Sequence, residues 1–404
     1  VARSRTLIVA GAGIGGLSAA IALSRAGYRV IALERAARLE ETGAGIQLSP
    51  NATRALDALG VLDTLRPHAI EPRMLVVADG ARGKELARAD LAGAGKRFGA
   101  PFLLVARADL QRALAAAAAD NMDIVIEQGT ELVDFADHAR GVTVSAKMAG
   151  ASSEQFGAAL IGADGLRSRV RAQLFGRSAP QFHRLVAWRA LIPAKGLPAL
   201  YAEPVVRLWL GPQAHVVHYP VANGEMVNLV AIFTDGWQGE DGSEADIAKI
   251  PPACDNWTET PQYLIAAAKK FRRFALYDRP PLAAGGKGRA TLLGDAAHPM
   301  LPFLAQGAAS AIEDALALAR HLQGVEEVAP AFRAYEAERA PRVQRLQETA
   351  RATGRVYHLG GISRLARNLF LRQIGGAGLI ERHAWIYRHQ EKVSENAAFG
   401  ARPL

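Results

Sequence analysis

Thr6-Leu7-Ile8-Val9-Ala10-Gly11-Ala12-Gly13-Ile14-Gly15-Gly16 decides how this chain begins to fold. Its first five residues are a short apolar run of the kind that is buried as a strand. Gly11, Gly13 and Gly16 then fit G-x-G-x-x-G, and residues 17–26 read as a small-residue helix that stops before Gly27. Residues 29–33 read as a second strand, closed by Glu34. The whole is a βαβ unit of about 30 residues. The three glycines serve different ends. Gly11 allows the tight turn, Gly13 lets a pyrophosphate approach the backbone, and Gly16 lets the helix pack on the strand. The helix N-terminus offers free N–H groups and the positive end of a dipole to phosphate. Glu34, about 20 residues on, accepts hydrogen bonds from ribose hydroxyls and repels a 2′-phosphate. The predicted dinucleotide contacts at this end are Gly11, Gly13, Ile14, Gly15, Gly16, Glu34 and Arg35, and by themselves they leave FAD and NAD open.

A second motif selects between them. Leu292-Leu293-Gly294-Asp295-Ala296-Ala297-His298-Pro299 reads as a strand running into an Asp-bearing turn. Pro302 follows, and Gln306-Gly307-Ala308-Ala309 opens a helix that carries Glu313 and Asp314. A second helix N-terminus suits a flavin, because negative charge develops on the reduced ring where backbone N–H groups of Gly307 and Ala308 can stabilise it. Asp295 is placed to hold a ribityl hydroxyl. His298 reads as a structural loop histidine, and no metal site is expected, since no third ligand accompanies Asp295 and His298. A third segment, Gly162-Ala163-Asp164-Gly165, is a strand entering a tight turn, followed by the basic stretch Arg167-Ser168-Arg169-Val170-Arg171.

Together the three motifs resemble the FAD-dependent aromatic hydroxylases, the single-component flavoprotein monooxygenases, in order and approximate spacing. Gly43-Ala44-Gly45-Ile46-Gln47-Leu48 looks like that family's segment along the flavin, which assigns Ile46 and Gln47 to the cofactor. Arg107-Ala108-Asp109-Leu110 looks like its helix start beside the FAD phosphates. The resemblance covers residues from about 6 to 357. It is nearest the salicylate and 3-hydroxybenzoate hydroxylase branch, with Ala305 standing where many relatives have glycine. It implies FAD as bound cofactor, NAD(P)H as a transient co-substrate without a Rossmann domain of its own, and O2 as oxidant. It also assigns the Asp164 segment to both nucleotides.

Oxygen activated as a flavin C4a-hydroperoxide is an electrophile and needs an electron-rich ring, so a base that makes the substrate a phenolate helps. Histidine has the pKa for this. In His215-Val216-Val217-His218-Tyr219 the period of two puts His215 and Tyr219 on one face and His218 on the other. We take His215 as base or phenol partner, Tyr219 as the orienting group, and His218 as a sheet-face side chain. A carboxylate on the substrate would call for an arginine. Arg189 and Arg207 lie in the β-rich region, but nothing in the sequence aims them inward, and they read as solvated.

The composition bounds the rest. The chain has 404 residues, half of them hydrophobic, and so can bury roughly three quarters of its extended surface. Disorder over most of its length is excluded. Cys254 is the single cysteine, which rules out an intrachain disulfide or a cysteine-based metal cage. The net charge of +9 attracts anions without choosing among them. The uncharged run 6–23 is interrupted by its glycines and is not read as a membrane span. The arginines Arg339, Arg342, Arg345, Arg351 and Arg355, interspersed with Glu336, Glu338 and Glu348, read as a solvated, salt-bridged helix face rather than a nucleic-acid site. Pro341 is expected to kink or restart that helix.

The fold class expected is α/β: a Rossmann-like FAD-binding domain of the glutathione-reductase-like type, with an inserted β-rich substrate domain and C-terminal helices. The expected division is 1–75, 100–180 and 280–330 for the FAD domain, 76–99 and 181–279 for the substrate domain, and 331–404 for the helical segment. The function expected is hydroxylation of a small hydroxylated aromatic, an acid such as a hydroxybenzoate, in a cytoplasmic protein, with a homodimer as one arrangement. Two rivals stand beside it: a flavin epoxidase or oxidoreductase on a non-benzoate substrate, and a non-catalytic nucleotide-binding protein. The intact segment 302–309 speaks against the second rival, since an adenine binder needs only the first motif.

Overall fold

In the computed structural model, residues 6–39, 44–148, 150–282 and 284–391 are described. Gly43 lies outside these residues, as do 392–404 of the expected C-terminal segment. Two large sheets face one another across a cavity.

The first sheet is mostly parallel. In order, its strands are Gly286–Lys287, Ala290–Leu292, Ala159–Gly162, Thr6–Ala10, Arg29–Glu34 and Ile124–Gln128. Only the Gly286–Lys287 edge is antiparallel. A strand buried on both faces needs a continuous apolar run, and Leu7, Ile8 and Val9 are fully buried. The helix Ile14–Arg25 packs on one face together with Gly307–Leu322. It begins at Ile14, earlier than its apolar pattern suggests, because Gly15 and Gly16 are part of its first turn.

The second sheet has eight strands. Their order is Ser243–Ala245, Phe271–Asp278, Gln181–Pro193, Met226–Thr234, Ala214–Val221, Val205–Gly211, Met74–Asp79 and Glu85–Asp90. The hairpin 74–90 joins through a parallel pairing of Met74–Asp79 with Val205–Gly211. One face packs Trp188, Val216, Ala231 and Phe233 into a core covered by Trp257 and Leu264. The other face looks into the cavity.

Two long helices close the molecule. Val328–Tyr357 runs through Pro341 as one continuous helix and does not restart there. The proline lies on the exposed side, while Arg339 and Val343 on either side of it are anchored in the interior. That packing outweighs the roughly 3 kcal/mol a mid-helix proline costs. The next helix, Gly361–Tyr387, is broken at Gly375, where φ is +59°. It lies against the strand Glu85–Asp90 so closely that a Cβ on Gly376 would fall 1.8 Å from the Arg88 carbonyl oxygen.

The arginines of the first long helix are not a solvated face. Arg339 is 4% exposed. It donates to Asp314 (2.7 Å), Glu313 (2.8 Å) and Glu391 (2.5 Å). Arg342 holds Glu313 with two bonds, and Arg351 reaches Asp278. Arg345 stacks on Trp385 at 3.9 Å, and only Arg355 is simply exposed. Sequence spacing pairs arginines with glutamates of their own helix, whereas here the principal partners come from a neighbouring helix and a strand.

Candidate active site

The cavity between the sheets, about 470 Å³, has two kinds of wall. One wall is largely backbone. Gly11 turns at φ +97°, a conformation that glycine alone adopts without strain. A Cβ on Gly16 would lie 1.9 Å from the Gly11 carbonyl oxygen, so helix and turn are in direct backbone contact. Gly13 differs from both: nothing lies within 4 Å of where its Cβ would be, and it lines the cavity with Ile14 and Gly15. The 16-residue helix Gly307–Leu322 brings Gly307 and Ala308 to the same wall, with Pro302 nearby. Ala309, one residue on, is turned into the core. Ile46, Gln47, Arg107 and Asp295 complete this wall.

Other predicted cofactor residues lie outside the cavity lining. Glu34 ends the second strand and accepts from the Ala12 and Ala36 N–H groups at 2.9 and 2.8 Å. Arg35 is exposed beside it. Asp164 accepts from the N–H groups of Arg169 and Val170, so its carboxylate anchors the helix Arg169–Phe175 while Ala163, Gly165 and Leu166 reach the cavity. Burial raises the Asp164 pKa above the usual carboxylate value. Asp295 is open to the cavity yet deep in the protein, and that depth raises its pKa against the opposing pull of His298 and Arg107.

The second wall is made of side chains on the eight-stranded sheet. His215, Val217 and Tyr219 point in from one strand, Val230 and Ile232 from the next, and Arg189 from the one beyond. Arg189 is therefore not a solvated arginine. Trp188 and Ala190 are held in the core of the opposite face, which leaves position 189 facing the cavity. Its guanidinium lies 4.7 Å from the Phe274 ring centre. Arg207 does face away, bonded to Glu203 and the Leu200 carbonyl. His218 also lies on the far side, between the Tyr201 and Trp209 rings, where burial and Arg207 push its pKa down to about 3.

His215 is 4% exposed and its Nδ1 sits 2.8 Å from His358 Nε2. Phe303 and Tyr357 complete an aromatic surround, with ring centres 5.5 and 5.4 Å from the imidazole. Burial, then the neighbouring His358, holds the His215 pKa well below the usual histidine value. Tyr219 is fully enclosed and its phenol pKa is raised by burial, against smaller lowering effects of Arg189 and a hydrogen bond with Gln47. Gly45 explains the closeness of this packing. Its N–H donates to Asn228 Oδ1 at 2.6 Å, and a Cβ there would lie 2.7 Å from the Tyr219 ring.

A buried polar network supports both walls. Asp314 accepts from the Gly294 N–H and lies 2.6 Å from His298 Nε2, fixing the turn that carries Asp295. Glu313 accepts from Asn51, which in turn contacts Ser49 and Gln306 at the start of the cavity helix. His298 is thus tied to the cavity helix through Asp314. His358, Phe303, Asn51 and the Arg339 cluster were not legible as parts of the site. They come from distant segments, and only the polar character of Asn51, Glu313 and Asp314 before or inside apolar helices hinted at a role.

This wall arrangement fits a flavin dinucleotide. There is open space at Gly13, a long helix N-terminus at the cavity, and Arg107 and Asp295 both in its lining. A family described as FAD binding domain matches residues 3–350. The chain belongs to that family. A 3-hydroxybenzoate 6-hydroxylase of Klebsiella oxytoca is 34% identical over 97% of this chain and 98% of its own length. A 3-amino-4-hydroxybenzoate 2-monooxygenase of Streptomyces platensis is 38% identical over 94% and 95%. A crystal structure of Klebsiella pneumoniae HpxO with FAD and uric acid superposes with a TM-score of 0.82 at 29% identity, covering 93% of this chain and 95% of that one. The protein is an FAD-dependent, NAD(P)H-consuming aromatic monooxygenase of α/β fold. Among the described residues, no helix is long and apolar enough to cross a membrane.

Proposed function

We propose that the cavity takes a hydroxylated benzoate and that this flavoprotein hydroxylates its ring. The observation that carries this reading is the convergence of Arg189, His215 and Tyr219 on the cavity that the flavin motifs also line. A carboxylate pairs well with a guanidinium in a partly desolvated site. In our reading Arg189 holds the substrate carboxylate, Tyr219 orients the ring, and His215 accepts the phenolic proton. Bound FAD would pass electrons from NAD(P)H to O2 and so supply the activated oxygen. Gly11, Gly13, Ile14, Gly15 and Gly16 form its pyrophosphate cradle. Glu34 and Arg35 bind at the adenosine end, and Arg107 and Asp164 flank the phosphates. Ile46, Gln47, Asp295, Pro302 and the N–H groups of Gly307, Ala308 and Ala309 line the ring and ribityl chain.

The chemistry falls to the chain's own residues as follows. His215 lowers the barrier by placing negative charge on the ring that oxygen attacks. Val217, Val230 and Ile232 exclude water from the ring. The relatives' names, which specify benzoates bearing a hydroxyl group, support the substrate class.

The test is an absorbance spectrum of the purified protein, followed by NADH and NADPH oxidation with a panel of hydroxybenzoates. Flavin bands, substrate-stimulated oxidation and a hydroxylated product are expected. Flavin bands with no response across the panel would redirect the search to non-benzoate substrates.

A further inference from the structure

His215 has two ring nitrogens, and they face different surroundings. Nδ1 is committed to His358 Nε2 at 2.8 Å. Nε2 is the nitrogen left for the cavity that His215 lines. His358 does not line that cavity and is only half-buried, so the pair spans the wall between the cavity and the outside.

The partner is held in place from several sides. The Gln213 N–H donates to the His358 carbonyl at 3.2 Å. Arg367 donates to the neighbouring Tyr357 carbonyl at 2.7 Å and to that of Val356 at 3.3 Å. Phe303 packs against both imidazoles, with ring centres at 5.5 and 6.1 Å. It is itself pressed against the long helix at Gly354, where a Cβ would lie 2.4 Å from its ring. A histidine that only filled space would need none of this alignment.

From this geometry we infer that His358 is the outlet of a two-histidine proton relay that carries the substrate's phenolic proton from His215 to solvent. The relay rests on the reading of His215 as the group that meets the phenol. The phenol O–H bond breaks as an N–H bond forms at His215 Nε2. The proton on His215 Nδ1 passes to His358 Nε2, and the proton on His358 Nδ1 leaves to water or buffer. One proton moves from substrate to solvent, both histidines end neutral, and nothing is oxidised or reduced. The electrostatics suit transit rather than storage. Burial lowers both imidazoles, His358 to about 4 with Arg367 adding to the effect, so neither histidine rests as a cation. The other ionisable groups around the pair are Tyr357 at its side and Tyr219 and Arg189 on the cavity wall. His358 is a positioning and relay residue, since it does not touch the cavity.

The test uses the FAD-loaded protein without NAD(P)H, mixed in a stopped-flow instrument with 3-hydroxy-4-nitrobenzoate. Phenolate formation on this probe is read as visible absorbance, and proton release with a pH indicator. In the unmodified protein the two signals should rise together. His358→Gln keeps a hydrogen-bonding group but cannot relay, and should slow proton release by about tenfold or more with probe affinity and FAD content kept. His358→Ala should be slow in the same way and be restored by added imidazole. Release at the unmodified rate in His358→Gln, or no imidazole effect on a slow, FAD-loaded His358→Ala, would overturn the relay. If His215→Ala still forms phenolate at the unmodified rate, the assignment of His215 itself is wrong. If the probe does not bind the unmodified protein, the aromatic-acid reading falls, and the relay with it.

Discussion

The two walls of the cavity are built on different principles. The nucleotide wall, as we assign it, is largely main chain: a glycine turn, a bare Gly13 and two helix N-termini. The substrate wall of our proposal is made of side chains standing on alternate positions of a sheet. A main-chain site tolerates almost no change at its glycines, because any Cβ occupies the space of ligand or backbone. A side-chain site can change its specificity one residue at a time while the sheet stays the same. Within one fold, cofactor use is thereby held constant and substrate choice is left adjustable.

The largest effect should come from the nucleotide wall. Gly13→Val should abolish FAD retention and leave the folded chain intact, since nothing in the protein lies near that position. A flavin spectrum and a melting curve on the purified variant check both halves. A variant that still carries FAD would contradict the cradle.

The network beneath both walls comes next. Arg339→Met leaves Glu313, Asp314 and Glu391 without their central cation in a buried site. It should cost about 3–5 kcal/mol in urea unfolding. A loss below about 1 kcal/mol would mean that the remaining arginine and histidine carry the cluster. The same groups set a pH dependence. Arg339 and its neighbours hold the Glu313 and Asp314 pKa values below the usual carboxylate range. Folding therefore favours the ionised forms. Their contribution is full above about pH 5, where unfolded carboxyls are ionised, and drains away as pH falls toward the depressed native values. Acid unfolding midpoints of the protein and of Asp314→Asn should show this, with the variant less sensitive.

Arg189→Leu tests the substrate wall. Loss of one charge-assisted contact of about 1.5–3 kcal/mol should raise KM for a hydroxybenzoate by about 10- to 100-fold. KM for a phenol lacking the carboxylate should change little. Equal effects on both substrates would show that Arg189 shapes the wall rather than reading the acid.

The contrast between walls also explains what could be read in advance. Gly11, Gly13, Gly16 and the Gly294–Asp295 turn were legible because main-chain geometry demands particular residue types at fixed spacing. The shared face of His215 and Tyr219 was legible because a strand alternates. Which of its two faces looked into the cavity was not fixed by the alternation. Arg189 needed the placement of Trp188 in the opposite core before its direction was determined. Arg339 looked solvated because its partners Asp314 and Glu391 are distant in sequence. His358 follows the end of a helix whose local pattern carries no sign of His215. Long-range pairing of polar groups leaves almost no local trace.

The smallest effect belongs to the join between the walls. Ala305 adopts a left-handed conformation, φ +53°, just before the cavity helix. Ala305→Gly should relieve this and stabilise the fold by up to about 1 kcal/mol, with the gain partly offset by the freer unfolded chain. A melting curve checks it, and a clear destabilisation would mean that the methyl group packs usefully.

The first sheet pairs Thr6–Ala10 with Arg29–Glu34 on one side and, on the other, adds Ala159–Gly162 and then Ala290–Leu292. On the ribosome, Thr6–Ala10 can pair at once with Arg29–Glu34. Ala159–Gly162 then covers the other side of Thr6–Ala10, and its own free edge must wait for the whole β-rich insert to emerge before Ala290–Leu292 arrives. For that interval the half-built sheet exposes an apolar edge to the cell. Slowing synthesis within 181–279 lengthens the exposure.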